Sequence, residues 1–188
     1  FLMSQIHDFA FLIATANGSG SASANGLIMP AIFRMGVPVT GKNVFPSNIQ
    51  GLPTWYEIRV SKDGYVARSG KIDIMVAMNA ETYARDLRDV APGVAEVRSG
   101  GWLLFDSSWP LDDRLKRPDV TYLGVPLAEM CTAAFKGVRE RILMKNIAYA
   151  GALAALIGMD TDVIRELTRK KFSKKKALLD SNDAAIAL

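Results

Sequence analysis

The sequence predicts an α/β fold, with a Rossmann-like, mostly parallel sheet, flanking helices, a β-hairpin insertion and a helical C-terminal segment. An apolar run at residues 9–16 precedes a glycine-rich stretch, and residues 21–35 then show apolar positions at helical spacing. Strand, glycine turn and helix in this order are typical of nucleotide-binding α/β proteins. From Leu127 onward the apolar spacing is again helical.

Further strands are predicted where short apolar runs end in turn residues, at positions 72–77, 101–105 and 121–123. Residues 55–60 and 66–68 alternate in polarity around a Lys-Asp-Gly turn, which predicts a β-hairpin. Residues 41–54 are rich in Gly, Pro, Asn and Ser and predict a long loop. Asn79 and Asp160 are expected to cap helices, and the Ala-rich residues 143–156 predict a helix packed against the sheet.

Composition indicates one globular domain over residues 1–188, since 49% of the 188 residues are apolar and 22% are charged. No apolar run reaches the roughly 18 residues of a membrane span, and no basic leader precedes the first strand. One cysteine and one histidine exclude an internal disulfide, a cluster held by four cysteines of this chain and a conventional zinc site. The low cysteine usage and the lack of a visible signal favour the cytoplasm, and the short apolar runs predict no membrane association.

The first glycine turn is a candidate anion site, because glycines let a ligand approach the backbone and a helix begins directly after them. The alternative is a tight turn that binds nothing. A complete dinucleotide fingerprint would need Gly or Ala at Ser23 and an acid near Lys42, and neither is present. The candidate binding residues are Asn17, Gly18, Ser19 and Gly20.

No catalytic residue and no metal site is predicted. His7 is expected to be a surface residue, and Cys131, in an apolar helical context, is expected to be a buried, inert thiol. Asp106 follows a strand end, where it could serve a ligand site or cap the next turn.

Several segments carry a family resemblance. The stretch G-V-P-V-T-G-K-N-V-F-P-S-N-I-Q-G-L-P-T-W-Y-E-I-R-V at residues 36–60 resembles the γ domain of 2-oxoacid:ferredoxin oxidoreductases, in particular the N-terminal part of 2-oxoglutarate-type α subunits. Three further segments are similar to it as well: the turn A-N-G-S-G-S-A-S-A-N-G at residues 16–26, I-D-I-M-V-A-M-N-A at residues 72–80, and L-M-K-N-I-A-Y-A-G-A-L-A-A-L at residues 143–156.

The resemblance implies an enzyme complex that converts a 2-oxoacid and CoA into acyl-CoA and CO2 with reduction of ferredoxin. It implies thiamine diphosphate with Mg²⁺ and a [4Fe-4S] cluster in partner domains or subunits, namely a thiamine-side α domain and an iron–sulfur β subunit. This chain then corresponds to part of a longer α subunit. CoA is the ligand that the resemblance implies for the chain itself.

The resemblance also implies site residues. CoA is expected at Asn17, Gly18, Ser19 and Gly20. The S-N-I-Q-G loop is expected near the 2-oxoacid, with Ser47, Asn48, Gln50 and Lys42 as substrate-binding candidates. Gln50 stands where some archaeal relatives carry a carboxylate-binding lysine; Gln donates hydrogen bonds but no charge.

Two other interpretations remain open. The chain could be a free-standing nucleotide-binding protein with a Rossmann-like fold and no oxidoreductase partner. It could also bind an acidic partner through the basic cluster, defined as Arg169, Lys170, Lys171, Lys174, Lys175 and Lys176. Few aromatic residues accompany that cluster, so nucleic acid is not predicted as a partner. The alternative is that these basic residues form the solvated end of a helix and bind no partner.

Overall fold

The computed structural model describes residues 8–16, 19–44, 53–68, 70–80, 83, 96–175 and 178–188. Two compact units are formed by these residues. The sheet unit comprises residues 8–19 and 38–126, and the helical unit comprises residues 20–37 and 127–188.

The sheet unit contains six strands in the order β2-β3-β1-β4-β5-β6. Their bounds are β1 Asp8–Ala16, β2 Val39–Val44, β3 Pro53–Ser61, β4 Lys71–Ala77, β5 Glu96–Asp106 and β6 Thr121–Val125. β1, β4, β5 and β6 run parallel to one another, whereas β3 is antiparallel to both β1 and β2. The predicted α/β class with a mostly parallel sheet is therefore confirmed for the described strands.

The central strand β1 is apolar along nearly its whole length. Its seven residues from Phe9 to Thr15 are all buried. An alternating pattern would leave one side of the strand in water, so this continuous run is what a strand covered on both faces requires. The prediction of a buried first strand from this apolar run is therefore confirmed.

One face of the sheet supplies the core of its unit. Trp55 of β3, Met75 of β4 and Leu103 of β5 pack there with Leu12 of β1. Leu111, from the segment after β5, closes the cluster and is 8% exposed. Burial of this apolar surface is the main stabilising term for the unit.

The position of the predicted hairpin is wrong. Residues 55–60 lie in β3, but their antiparallel partner on the open side is β2 rather than residues 66–68. Residues 65–68 are exposed and form no strand. The ends of the predicted loop 41–54 are also strand: residues 41–44 belong to β2 and residues 53–54 to β3, while 45–52 lie outside the described residues. An exposed edge strand such as β2 carries polar residues, which is why its sequence resembled a loop.

Arg68 nevertheless has a defined place after β3. Its Nε donates to Glu57 Oε2 at 2.7 Å, and a second guanidinium nitrogen also contacts that oxygen. This hydrogen bond raises the pKa of the Arg68 guanidinium above its usual value, against the opposing effect of burial. The Glu57 side chain is only 2% exposed, and Arg68 is the cation in direct contact with this buried carboxylate among the described residues.

The helical unit contains five helices among its described residues. They are α1 Ser21–Arg34, α2 Leu127–Ala134, α3 Val138–Ile157, α4 Thr161–Lys171 and α5 Leu179–Ala187. None of the helices in the described part of the chain is both long and apolar enough to span a membrane.

Helix α3 is the centre of this unit and contacts α1, α2, α4 and α5. Its C-terminal half is buried, as its Ala-rich sequence predicts, and the Tyr149 hydroxyl donates to Asn25 of α1. At Gly151 the backbone of α5 comes so close that an added Cβ would lie 2.7 Å from the Ile186 carbonyl oxygen. Only glycine permits this approach of α5.

Helix α4 begins and ends as its sequence predicts. Asp160 caps it by accepting from the Asp162 N–H at 2.8 Å. At the other end the basic cluster is partly engaged within the unit: Arg169 pairs with Asp183 at 2.6 Å, and Lys171 Nζ donates to the Ser23 carbonyl at 2.8 Å. Burial lowers the pKa of Lys171. These contacts favour a structural role for the described part of the cluster.

We expect Gly151→Val to destabilise the protein by about 1–3 kcal/mol, because the new side chain must displace the α5 backbone. Chemical denaturation measures this change. Gly70→Ala is the matched control, since a Cβ at Gly70 meets no atom within 4 Å. Equal stabilities of the two variants would contradict the close packing of α5 on α3.

We expect Arg68→Ala to lower the free energy of unfolding by about 2 kcal/mol, less than for a fully buried pair because Arg68 is one-third exposed. Adding Glu57→Gln should restore most of that loss, since the buried charge is then removed. Arg114→Ala, which breaks the exposed pair with Asp112, should leave stability unchanged. Failure of the double variant to recover would show that Arg68 acts by packing.

Candidate functional site

The candidate site is built at the carboxyl edge of the sheet. Because β1, β4, β5 and β6 are parallel, their carboxyl ends lie at one edge, where open α/β sheets place their ligands. The strand registers align Ala14 of β1, Ala77 of β4 and Phe105 of β5 across three neighbouring strands. The segments that leave these strands therefore start at the same level.

The first turn leaves β1 at Ala16. The Ser19 N–H donates to the Ala16 carbonyl at 3.3 Å, and Gly20 follows with a φ of 82°, in the left-handed region that favours glycine. A Cβ at Gly20 would also lie 2.9 Å from Leu143 Cδ2. Asn17 and Gly18 lie outside the described residues. The turn is thus a close backbone approach that requires glycine.

Helix α1 starts at Ser21 without a capping side chain and without an acid in its first turn. The first N–H groups of a helix carry a partial positive charge and favour anions. The predicted anion site therefore has a suitable helix start directly after Gly20.

Asn79, immediately beyond β4, joins two strand ends. With its amide oriented to match donors with acceptors, its oxygen accepts from the Ala16 N–H at 2.8 Å and its nitrogen donates to the Met78 carbonyl at 3.3 Å. The sequence predicted Asn79 as a helix cap, and that role stays a prediction. The described contacts show that Asn79 also links the ends of β1 and β4. Most of the helix expected after it lies outside the described residues.

The substrate loop expected from the family resemblance starts and ends near the same edge. β2 ends at Val44, in register with Trp55, and β3 begins at Pro53, opposite Ala16. Ser47, Asn48 and Gln50 lie outside the described residues. The residues that bracket them thus adjoin the first turn.

Lys42 lies farther from this edge. It is exposed on β2, in register with Glu57, which in turn is in register with Leu12. Leu12 is four residues before the end of β1, or roughly 13 Å along a strand. Lys42 and Glu57 therefore share one face of the sheet as a cross-strand pair of opposite charge.

A tight turn follows β5. The buried Asp106 accepts from the Ser108 N–H at 3.2 Å through Oδ1, and its carbonyl accepts from the Tyr83 hydroxyl at 2.9 Å. Asp106 thus caps the turn, which was one of its two predicted roles. Trp109, the residue after Ser108, is 49% exposed.

The sequence also singled out a cysteine and a histidine. Cys131 is buried, as predicted, and His7 lies outside the described residues. Burial raises the pKa of Tyr56, which keeps its phenol protonated near neutral pH. Within the described ranges, no three His, Cys, Asp or Glu side chains come together as metal ligands. The edge offers backbone donors, hydroxyls and an amide, which suit ligand binding.

Comparison with known proteins identifies the family. Residues 10–188 match the family model described as pyruvate ferredoxin/flavodoxin oxidoreductase. A relative from Aeropyrum pernix, 2-oxoacid:ferredoxin oxidoreductase 2, subunit alpha, is 23% identical over 96% of this chain. This chain spans about a third of that relative's length, 33%.

Two solved structures share the fold. The 2-oxoglutarate:ferredoxin oxidoreductase from Magnetococcus marinus, with 2-oxoglutarate, coenzyme A and succinyl-CoA bound, superposes with a TM-score of 0.81 at 22% identity, over 97% of this chain and 30% of that one. The keto/oxoacid ferredoxin oxidoreductase γ subunit from Geobacter sulfurreducens gives 0.69 at 18% identity, over 95% and 94%.

The resemblance found in the sequence is thereby confirmed. The family match covers nearly the whole chain, and a γ subunit of similar length has the same fold. The chain belongs to the pyruvate ferredoxin/flavodoxin oxidoreductase family.

Proposed function

We propose that this chain is the γ-type domain of a 2-oxoacid:ferredoxin oxidoreductase, within a longer α subunit. The complex interconverts a 2-oxoacid and CoA with acyl-CoA, CO2 and reduced ferredoxin. 2-Oxoglutarate is the proposed substrate. The observation that carries the proposal is the family match over residues 10–188, and the turn after β1 supports it.

The first turn is the proposed CoA site, formed by Asn17, Gly18, Ser19 and Gly20. CoA presents phosphates, and an uncapped helix start behind a left-handed glycine suits phosphate oxygens. A related structure contains coenzyme A, which agrees with the same ligand class here. The role of these residues is to bind and orient the thiol-bearing substrate.

The segment between β2 and β3 is the proposed wall of the 2-oxoacid site. Ser47, Asn48 and Gln50 offer hydroxyl and amide groups for a carboxylate, and Lys42 offers a positive charge. Gln50 donates hydrogen bonds only, so we assign it orientation of the substrate. Lys42 would act through the electrostatic field, since it lies about four residues below the carboxyl edge.

The redox groups are proposed to lie in partner domains or subunits. One cysteine, buried in α2, does not fit a cluster that needs four cysteine ligands. Thiamine diphosphate with Mg²⁺, when bound in the α domain, supplies the decarboxylation chemistry. The partners are therefore a thiamine-side α domain and an iron–sulfur β subunit, with ferredoxin as the electron acceptor.

Native purification through a tag on the full polypeptide tests this function. The product is assayed for 2-oxoglutarate- and CoA-dependent reduction of a viologen dye, and for thiamine and iron. We expect iron-containing partners to co-purify and the dye to be reduced only when both substrates are present. A colourless, inactive protein without partners would overturn the proposal in favour of a free-standing nucleotide-binding protein.

We expect Gln50→Ala in the assembled enzyme to raise KM for the 2-oxoacid by roughly tenfold, as for one lost hydrogen bond to a charged group, and to leave KM for CoA unchanged. Gln50→Lys should lower KM for the 2-oxoacid, because it adds a charge opposite the carboxylate. Steady-state kinetics with each substrate varied separately measures both effects. Unaltered KM values in both variants would remove Gln50 from the site.

A further inference from the structure

The N-terminal end of α3 exposes large apolar side chains. Val138 is 71% exposed and Ile142 is 49% exposed, and their spacing of four residues places them on the same face of the helix. Tyr149 lies farther along that face, where it is fully buried and its hydroxyl donates to Asn25 of α1. The face is therefore covered at Tyr149 and open to solvent at the start of α3.

The start of α1 marks where the cover on α3 begins. Gly20, directly before α1, lies so near that an added Cβ would come within 2.9 Å of Leu143 Cδ2. Val138 and Ile142 precede Leu143 in the helix, and their exposure shows that no described helix of the unit covers them. Adjacent exposed apolar residues on one helix face are typical of a surface that meets another protein surface.

The backbone at this end of α3 is fixed by its connection to α2. Phe135, which is buried between the two helices in the sequence, donates its N–H to the Cys131 carbonyl at 3.0 Å. The Phe135 carbonyl in turn accepts from Arg141 Nε at 2.7 Å. A surface whose backbone is already fixed loses little conformational entropy when it binds a partner.

Two cations flank the exposed apolar side chains. Lys136 and Arg139 are exposed, and neither forms an ion pair with any residue that the structure describes. The nearby Glu140 accepts instead from the Ser181 hydroxyl at 2.7 Å. Unpaired cations beside an apolar surface favour a partner that supplies carboxylates. We call this surface the α2–α3 corner, and its exposed residues are Ala133, Ala134, Lys136, Val138, Arg139 and Ile142.

The fold of this chain is found both as a separate subunit and within a longer chain. It accounts for 94% of the γ subunit from Geobacter sulfurreducens and for 30% of the chain from Magnetococcus marinus. A domain that occurs with and without a covalent connection to its neighbour needs a surface that binds the neighbour non-covalently. Contacts between domains are partly polar, which agrees with the mixed apolar and basic character of the α2–α3 corner.

We propose that the α2–α3 corner is the surface through which this domain docks onto the thiamine-side α domain. This inference rests on the proposed function and names the surface for one of its partners. Val138 and Ile142 pack against apolar side chains of that domain, and Lys136 and Arg139 pair with Asp or Glu residues at the rim of the contact.

Photo-crosslinking in the assembled enzyme tests the assignment. The photoreactive amino acid p-benzoylphenylalanine replaces Ile142 in the full polypeptide, and mass spectrometry identifies the residues that it reaches. Ile142 is half exposed, so its replacement leaves the core of the helical unit intact. We expect cross-links to the thiamine-side α domain, close to Asp or Glu residues. Cross-links to the iron–sulfur β subunit or to a second copy of this domain, or the absence of any cross-link, would overturn the proposal.

Phe33 is the matched control position for the photoreactive residue. It is 69% exposed and lies near the C-terminal end of α1, roughly 18 Å along that helix from Ser21. The same replacement at Phe33 should give no cross-link to the thiamine-side α domain. Equal yields from the two positions would contradict a docking surface at the α2–α3 corner.

Charge reversal tests the basic rim of the corner. With the photoreactive residue at position 142, we expect Arg139→Glu to lower the cross-link yield by roughly tenfold, because it places like charges opposite each other. Lys170→Glu is the control, since Lys170 is an exposed member of the basic cluster without an ion pair among the described residues. Its yield should equal that of the parent enzyme. An unchanged yield in Arg139→Glu, or an equal loss in Lys170→Glu, would refute the proposed contact.

Dye reduction separates this inference from the proposed function. If the enzyme reduces the dye with 2-oxoglutarate and CoA but position 142 cross-links elsewhere, the function stands and the docking assignment falls. If position 142 reaches the thiamine-side α domain but 2-oxoglutarate and CoA give no dye reduction, the docking assignment stands and the proposed reaction falls.

Discussion

The pairing of β1 with an antiparallel strand on one side and a parallel strand on the other shapes the whole sheet unit. β3 and β4 occupy both edges of β1, and its side chains are buried on both faces from Phe9 to Thr15. The strand therefore meets solvent only at its two ends, at Asp8 and at Ala16, where the chain leaves it. The constraint on β1 is what concentrates polar groups there, because buried strands leave ligands access only at their ends.

Asn79 and Gly20 define the backbone at that exit. Asn79 satisfies the Ala16 N–H, so the strand end needs no further partner from the turn. Gly20 bends the chain in the left-handed region and lets α1 start without a side-chain cap. A helix start after a left-handed glycine is the kind of feature that the proposed phosphate-bearing ligand would require.

The fold class was predictable because the buried strands carry continuous apolar runs, as in β1 and β4. The pairing of β2 with β3 was not predicted, and the reason is physical. β2 lies at the sheet edge and exposes Gly41, Lys42 and Asn43, so its composition is that of a loop. Conversely, the alternating polarity of residues 66–68 suggested a strand. The charged residue of that pattern, Arg68, instead pairs with Glu57 of β3.

The candidate site was predictable only in part. The glycine-rich turn could be recognised in the sequence because glycine is favoured where the backbone needs a positive φ or a close approach. The contact of Asn79 with β1 gave no such signal, since it arises only because β1 and β4 pair side by side. The sequence also left open whether Asp106 serves a ligand or caps a turn. The hydrogen bond from the Ser108 N–H to its side chain shows that it caps the turn.

The composition of β2 has a consequence for how molecules of this protein meet one another. An open edge strand offers unpaired backbone groups to any second strand, and lysines are a common means of opposing such pairing. Lys42, placed midway along β2 between a glycine and an asparagine, gives this edge a positive charge and a low tendency to extend the sheet. The same side chain thereby protects the protein against edge-to-edge aggregation, independently of any substrate.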